Sequence, residues 1–189
     1  MEGPSKITFT SALPKRASFG LSGAELGRDH LGMSHCFQIR ALPNEPFERF
    51  YNMSSGELVQ SGVVVYDVDS VPGYPCRVSL QDAPHGAEVL LVNYEHQPAE
   101  TPFQSKGPIF VRRHAVQAQL VPNEVPEMLL TRPLSVRGYD KTGMMVGAEV
   151  IEGQALEEAI DLLFDNPDVE YLHVHFARRG CFACKVERT

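Results

Sequence analysis

The stretch "YLHVHFARRGCFACKVER", residues 171–188, carries the clearest fold signal in the chain. Alternation in "LHVHF" places the leucine, the valine and the phenylalanine on one face of a strand, because successive side chains of a strand point to opposite sides. His173 and His175 share the other face. The turn "ARRG" then reverses the chain into a second strand. The stretch predicts an antiparallel hairpin with an apolar core face and a face that bears two imidazoles.

The pairing of the two strands decides where the cysteines of this hairpin lie. A four-residue turn would pair His175 with Phe182 and His173 with Cys184, and directly paired residues share a face. Cys184 would then join the histidines, while Cys181 would point to the core. A β-bulge beside the turn would change the pairing and expose Cys181 instead. The two cysteines cannot share a face while "CFAC" stays extended.

The hairpin is compatible with several kinds of site. Two histidines at positions i and i+2 of a strand can ligate one cation, although tetrahedral zinc needs at least one further ligand. They are also compatible with two polar residues on a solvated or interfacial strand face. A redox C-x-x-C normally precedes a helix, and none follows Cys184. A four-cysteine zinc site lacks its second pair, because Cys36 and Cys76 are isolated.

The rest of the chain reads as strands joined by turns, with few helices. Strand patterns cover residues 36–42, 63–68, 76–80, 87–96, 109–118, 134–140 and 144–151. Two short helices are predicted near the start, "PFERFYNM" and a second one capped by Ser54 or Ser55. The substantial helix is "GQALEEAIDLLFDN", with apolar residues at i, i+4 and i+7. These patterns predict an α+β fold with a mainly antiparallel sheet, one substantial helix in the C-terminal half and two short N-terminal helices.

Composition limits the classes of partner. The 189 residues fit one domain, and the net charge of −7 argues against a nucleic-acid partner. No apolar run approaches the roughly 18 residues that span a bilayer. Four scattered cysteines without a secretory leader predict free thiols in the cytoplasm.

Residues 1–32 are expected to be a flexible extension or a start codon called too early, with an organelle address as the alternative. Residues 33–189 are then a single α+β domain.

Several blocks of the sequence are similar to those of a known family. The blocks are "PGYPCRVSLQDAPHGAEVLLVNYEHQ", "GPIFVR", "LSVRGYD", "GMMVGAEV" and "YLHVHFARRGCFACKVER". They resemble a bacterial family known as domain of unknown function 1203, over roughly residues 33–189. The resemblance implies a fold-level grouping and no agreed activity. It also implies that Cys184 is a departure, because the family more often has another residue there, commonly a basic one.

The same blocks place polar side chains at strand ends, where such residues often line a concave site. The candidates are Cys76, His96 and Cys181 as catalytic residues, Arg77, Tyr94, Arg112 and Arg137 as substrate-binding residues, and His173 and His175 as metal ligands. Each has a plain alternative, such as an inert core cysteine or an arginine paired with a carboxylate. No H-E-x-x-H, G-x-S-x-G, P-loop or Rossmann glycine pattern is present.

Two functional hypotheses follow from different classes. In the first, a small enzyme uses thiol and imidazole groups on a small anionic molecule held by arginines, with or without a zinc or iron ion. A cysteine would then be the third metal ligand. In the second, the protein is a non-catalytic module that binds a protein or small ligand. The sequence leaves the oligomeric state open.

Overall fold

The computed structural model describes residues 35–189. The expectation that residues 1–32 are an extension lies outside these described residues. In chain order the strands are β1 (Phe37–Arg40), β2 (Val64–Asp67), β3 (Pro75–Cys76), β4 (Gln81–Asp82), β5 (Glu88–Gln97), β6 (Ser105–Arg112), β7 (Pro133–Tyr139), β8 (Met145–Glu152), β9 (Tyr171–Phe176) and β10 (Cys181–Arg188). The helices are α1 (Glu45–Tyr51), α2 (Ser55–Gln60), α3 (Glu127–Leu130) and α4 (Leu156–Phe164), the last preceded by the 3-10 turn Gly153–Ala155.

The strands form two five-stranded sheets. Sheet A has the order β1-β10-β9-β7-β8, and its neighbouring strands are all antiparallel. Sheet B has the order β2-β5-β6-β3-β4, in which β3 and β6 are parallel and the other pairs are antiparallel. The α+β class with mainly antiparallel sheets, short N-terminal helices and a larger helix late in the chain is therefore confirmed.

Helix α4 covers one face of sheet A. Its buried residues Leu156, Ile160 and Phe164 pack in one cluster with apolar residues of the sheet, including Val136 and Val174. Burying each such side chain contributes about 1.5–3 kcal/mol. The face of β9 that was predicted to be apolar is the face that meets this helix, so the alternation in "LHVHF" gave the correct core side.

A second cluster covers one face of sheet B. It contains Leu90 of β5 and Ile109 of β6, together with Phe47 of α1 and Leu58 of α2. Phe182 of β10 also belongs to this cluster, although β10 is a strand of sheet A. The face of sheet A opposite α4 therefore contacts sheet B instead of solvent.

Two sequence signals near the start agree with the structure, although the helix predicted over "PFERFYNM" spans Glu45–Tyr51. Ser54 caps α2 in a capping box, in which its hydroxyl accepts the Glu57 N–H and the Glu57 carboxylate accepts the Ser54 N–H. Helix α1 has its proline in the first turn, where no N–H is needed. Helix α3, within a proline-punctuated stretch, had not been predicted.

Two predicted strands differ from the structure. The predicted strand 76–80 is only Pro75–Cys76, because the chain turns at residues 77–80, where the Cys76 sulfur accepts the Ser79 N–H. The strand predicted at 109–118 spans Ser105–Arg112 instead, and His114 just beyond it has φ of 56°. Such a left-handed backbone is incompatible with a continuing strand.

In the part of the chain that the structure describes, no helix combines the length and the apolar character needed to cross a membrane.

Candidate functional site

His173 and His175 lie on β9, whose neighbours in sheet A are β10 and β7. Their imidazoles leave the sheet on the side opposite α4, as the alternation predicts. This side is not solvated, however: the two residues are only 3% and 0% exposed. The histidine face of β9 is buried because sheet B covers it. Both histidines are therefore buried polar groups that require partners.

His96 reaches the same place from sheet B. It lies in a β-bulge of β5, where Glu95 pairs with Lys106 and Gln97 pairs with Ser105, so that His96 is the unpaired extra residue. Bulges redirect side chains and occur often beside functional sites. The bulge lets both His96 and Gln97 contact sheet A, since Gln97 donates a hydrogen bond of 2.8 Å to the Tyr171 hydroxyl.

The three histidines form one cluster. One ligand atom of each lies within 4.8 Å of the others. The ring centroid of His96 lies 5.8 Å from that of His173 and 5.0 Å from that of His175. The ring centroids of His173 and His175 are 6.2 Å apart. Within residues 35–189, three buried nitrogens have no hydrogen-bond partner, namely His96 Nδ1, His173 Nδ1 and His175 Nε2. Unsatisfied buried nitrogens are costly, and three of them together need an explanation.

The tautomer of His175 follows from its one hydrogen bond. His175 Nδ1 lies 3.0 Å from the backbone oxygen of Gly180. A carbonyl oxygen can only accept, so Nδ1 carries the proton and Nε2 has a free lone pair. A carbonyl that holds one ring nitrogen and leaves the other free is the usual outer partner of a metal-bound histidine.

The electrostatics keep all three imidazoles neutral. Burial, followed by the nearby charge of Arg137, lowers the pKa of His96 to about 4. Burial lowers the pKa of His173 to about 2, with further contributions from the other two histidines, Lys185 and Arg137. Burial and Arg137 lower the pKa of His175 to about 3, although the Gly180 carbonyl opposes the shift. Neutral imidazole is the form that binds a metal ion.

Arg137 has a fixed place beside the cluster. On β7 it pairs directly with His173, so it shares the histidine face of sheet A. Its Nε donates a hydrogen bond of 3.3 Å to the Ser135 hydroxyl. Tyr139, which pairs with Tyr171, lies on the same face. Arg137 therefore adds a positive charge next to three neutral imidazoles.

Aromatic rings enclose the cluster. Phe182 stacks on His96, with ring planes 3° apart, and meets His173 and His175 edge-on. Tyr139 and Tyr171 contact His173 at centroid distances of 4.9 and 5.2 Å. These rings restrict the imidazoles to few orientations and exclude water from two of them.

The donor set fits a divalent transition-metal ion. Zinc–nitrogen bonds of about 2.0–2.1 Å in a tetrahedron put the nitrogens about 3.4 Å apart, so the widest separation here would have to close by somewhat more than 1 Å. Of the three rings, that of His96 is partly exposed, whereas those of His173 and His175 are buried. Three protein ligands would leave one position for water or substrate, as in catalytic zinc sites.

The predicted place of Cys184 is wrong. Phe182 does pair with His175, but a bulge at Ala183 shifts the register, and Cys184 pairs with Val174 instead of His173. Cys184 is buried in the cluster beneath α4, and this burial raises its pKa to about 12. Lys185 takes the predicted place opposite His173.

The bulge also places both cysteines on the same side of the sheet. Cys181 pairs with Phe176, and its side chain packs against the edge of the α4 cluster. The statement that Cys181 and Cys184 point to opposite faces holds only for an extended "CFAC", which the bulge interrupts. Of the two, Cys181 is partly exposed and Cys184 is not.

Arg77 and Cys181 form a second polar pair, and the charge of Arg77 also contributes to the lowered pKa of His175. Arg77 is only 1% exposed, and its guanidinium donates to the Phe182 carbonyl at 2.8 Å and to the Pro75 carbonyl at 2.5 Å. Its Nη2 donates to the Cys181 sulfur at 3.1 Å. Burial lowers the pKa of Arg77, and the Cys181 sulfur opposes that shift.

The remaining predicted site residues lie elsewhere. Cys76 is buried in the sheet B cluster, where its sulfur accepts the Arg112 N–H at 3.2 Å. Tyr94 packs on Phe47 of α1 at a centroid distance of 5.7 Å, and burial raises its pKa. The Arg112 side chain lines a separate cavity of about 960 Å³. The structure thus joins His96, His173, His175 and Arg137, and separately Arg77 and Cys181.

Sequence reasoning missed several contributors to these sites. The stacking of Phe182 on His96 and the contact of Gln97 with Tyr171 depend on how the two sheets pack together. No local sequence pattern indicates either contact. Lys185 was missed because a four-residue turn without a bulge pairs Cys184 with His173, whereas the bulge at Ala183 brings Lys185 to that position. Arg132, which lies beside the Arg77 pair, was hidden in a proline-punctuated stretch.

The sequence model of one family matches residues 73–188, which include both sites. No curated protein and no solved structure gives a significant match. The matched segment covers more than half of the chain and contains all the residues of the histidine cluster and of the Arg77–Cys181 pair. The chain belongs to the family described as protein of unknown function, DUF1203.

Proposed function

We propose that this chain is a metal-binding protein that uses its bound ion to hold a small anionic molecule. His96, His173 and His175 would ligate a divalent transition-metal ion, zinc or iron, and Arg137 would receive the anion. The single observation that supports this most strongly is the convergence of three imidazoles, two of them buried, each of which has a ligand atom within 4.8 Å of those of the others. Each of the three also has a buried ring nitrogen without a hydrogen-bond partner among the described residues. A structural role alone leaves those nitrogens unexplained.

The choice of ligand rests on charge. A divalent ion bound by three neutral histidines keeps its full charge, and Arg137 adds another positive charge nearby. A carboxylate or similar oxyanion fits both partners, because guanidinium groups and metal ions each bind such oxygens. When bound, the ion would supply a Lewis acid. Arg137 would orient the anion, and the surrounding aromatic rings would limit access of water.

The neutral state of the histidines prepares this site for a cation. Because their pKa values lie far below neutrality, no proton has to be displaced from them at pH 7. The four cysteines are free, as expected in the reducing cytoplasm that we propose as the protein's location.

Metal binding is tested by titrating metal-free protein with zinc, and with cobalt as a visible reporter, using calorimetry and absorption spectroscopy. We expect one ion per chain. Loss of an outer partner of a metal site already costs 10–100-fold in affinity, so His96→Gln and His173→Gln should each weaken binding by at least about 100-fold. His85→Gln and His114→Gln, which replace exposed histidines outside the cluster, serve as matched controls.

Retention of full affinity by His96→Gln would contradict the proposal, because His96 is partly exposed and its replacement should not prevent folding. Equal losses in the two control variants would also contradict it. The anion is tested by adding acetate to the cobalt form: Arg137→Gln should weaken the spectral response, whereas the exposed Arg40→Gln should not.

A further inference from the structure

A cavity of about 310 Å³ opens beside Cys181, which lines it together with Phe176. This volume lies at the lower end of the range for small-molecule pockets. Its walls are largely apolar, since Phe110 and three prolines also contribute to the lining. Its charged lining residues are Arg132, Arg178 and Arg179. The cavity therefore combines apolar walls, a thiol and guanidinium groups.

Two cations lie against one ring of this cavity. The guanidinium carbons of Arg77 and Arg132 lie 5.0 and 5.3 Å from the centroid of the Phe176 ring. The two positive charges repel each other, and Arg132 contributes to the lowered pKa of Arg77. Asp82 neutralises Arg132 through an ion pair of 2.6 Å. Among residues 35–189, no carboxylate forms an ion pair with Arg77.

The mouth of the cavity adds two further charges. Arg178 and Arg179 are exposed residues of the turn between β9 and β10. Within the described residues neither forms an ion pair. The chain as a whole has a net charge of −7, so a locally positive cavity is an exception to its overall charge. Guanidinium groups without acidic partners around an apolar cavity favour an amphiphilic anion.

We propose that this cavity is a second ligand site, which binds a small carboxylate with an apolar body next to the Cys181 thiol. The carboxylate would lie toward Arg178 and Arg179, and its apolar part would lie against Phe110 and Phe176. Arg77 holds the Cys181 sulfur in the wall of the cavity through its Nη2–Sγ contact. The site is separate from the histidine cluster and does not depend on a bound metal.

The charge preference of the site is measured with two alkylating reagents of similar size, anionic iodoacetate and neutral iodoacetamide. In both reactions the Cys181 sulfur forms a bond to carbon, the C–I electron pair leaves with iodide, and the thiol proton goes to solvent. Rates at individual cysteines are followed by peptide mass spectrometry. Exposed Cys36 is the internal reference, whereas Cys76 and Cys184 are buried.

We expect the iodoacetate-to-iodoacetamide rate ratio at Cys181 to exceed that at Cys36 by about tenfold, which corresponds to about 1.4 kcal/mol. The double variant Arg178→Gln/Arg179→Gln should bring the ratio toward that of Cys36. The double variant Arg49→Gln/Lys106→Gln removes the same charge from exposed positions outside the cavity, and it should leave the ratio unchanged. Benzoate should slow alkylation of Cys181 and not of Cys36.

The proposal is wrong if Cys181 has the same ratio as Cys36, if both double variants lower the ratio equally, or if benzoate gives no protection. The result is independent of the proposed metal site. His173→Gln, which should weaken metal binding, should retain the anion preference at Cys181. A protein that binds no metal but shows the preference would refute the first proposal and support this one.

Discussion

The ring of Phe182 lies parallel to the imidazole of His96, with centroids 5.1 Å apart, and thereby joins a strand of sheet A to a strand of sheet B. The same ring meets His173 and His175 edge-on. One aromatic side chain thus orients all three histidines of the cluster.

Phe182→Leu should separate the role of this ring in orienting the histidines from its role in the core. Leucine keeps most of the buried apolar contact, so we expect a loss of about 1 kcal/mol in the free energy of unfolding. Zinc affinity should fall by at least about tenfold, because outer partners of this kind contribute 10–100-fold. Urea denaturation and zinc calorimetry measure the two effects. Leu162→Ala, at an exposed position of α4, should change neither. Unchanged zinc affinity in Phe182→Leu would contradict the orienting role.

Acid should destabilise the metal-free protein through the three histidines. Their folded pKa values of about 4, 2 and 3 lie below the unfolded value near 6.5. Between these values the unfolded chain binds protons that the folded chain does not. The contribution to stability is therefore complete above about pH 6.5 and is lost as the pH falls toward the folded pKa values. Each histidine contributes a slope of up to about 1.4 kcal/mol per pH unit.

Urea denaturation between pH 7 and pH 5 in the presence of a chelator measures this slope. His173→Gln should reduce it, because one of the proton-binding groups is removed. An equal slope in the variant would show that other groups control the acid response.

Arg77→Met should destabilise the fold by about 2–4 kcal/mol. The Phe182 and Pro75 carbonyls would lose their donor, and each unsatisfied buried acceptor costs about 1–3 kcal/mol. Relief from burying a charge offsets part of this loss. Arg77→Lys keeps the positive charge but has fewer hydrogen-bond donors. Its free energy of unfolding, measured by urea denaturation, should therefore lie between those of the wild type and Arg77→Met. A methionine variant as stable as the wild type would show that burial of the guanidinium cancels its hydrogen bonds.

Gly153→Ala and Gly56→Ala should have opposite effects on stability. A Cβ at Gly153 would lie 2.0 Å from the Leu129 carbonyl oxygen and 2.7 Å from Leu130 backbone atoms, so the backbone must move. We expect a loss of at least about 3 kcal/mol, as for other severe core overpacking. Gly56 lies in α2, and no atom of the described part of the chain lies within 4 Å of its Cβ position, so alanine there should add about 0.5–1 kcal/mol. Thermal unfolding of the two variants compares them directly, and a stable Gly153→Ala protein would contradict the close approach.

The sequence alone determined those features that depend on short periods. Alternation in β9 put Leu172 and Val174 in the core and both histidines on the opposite side. The serines at 54 and 55 predicted that α2 begins there, and Ser54 is the cap. These patterns can be recognised because each depends on neighbours within about four residues along the chain.

Only the tertiary structure decided that His96 is the third member of the cluster, that the histidine face is buried, and that Arg77 rather than a histidine contacts Cys181. Each of these depends on a register shift or on the contact between two sheets. A bulge adds one residue to one strand at a place set by long-range packing, and it changes the direction of every side chain that follows. Residues far apart in sequence meet where the sheets pack, and no local period of the sequence encodes that meeting.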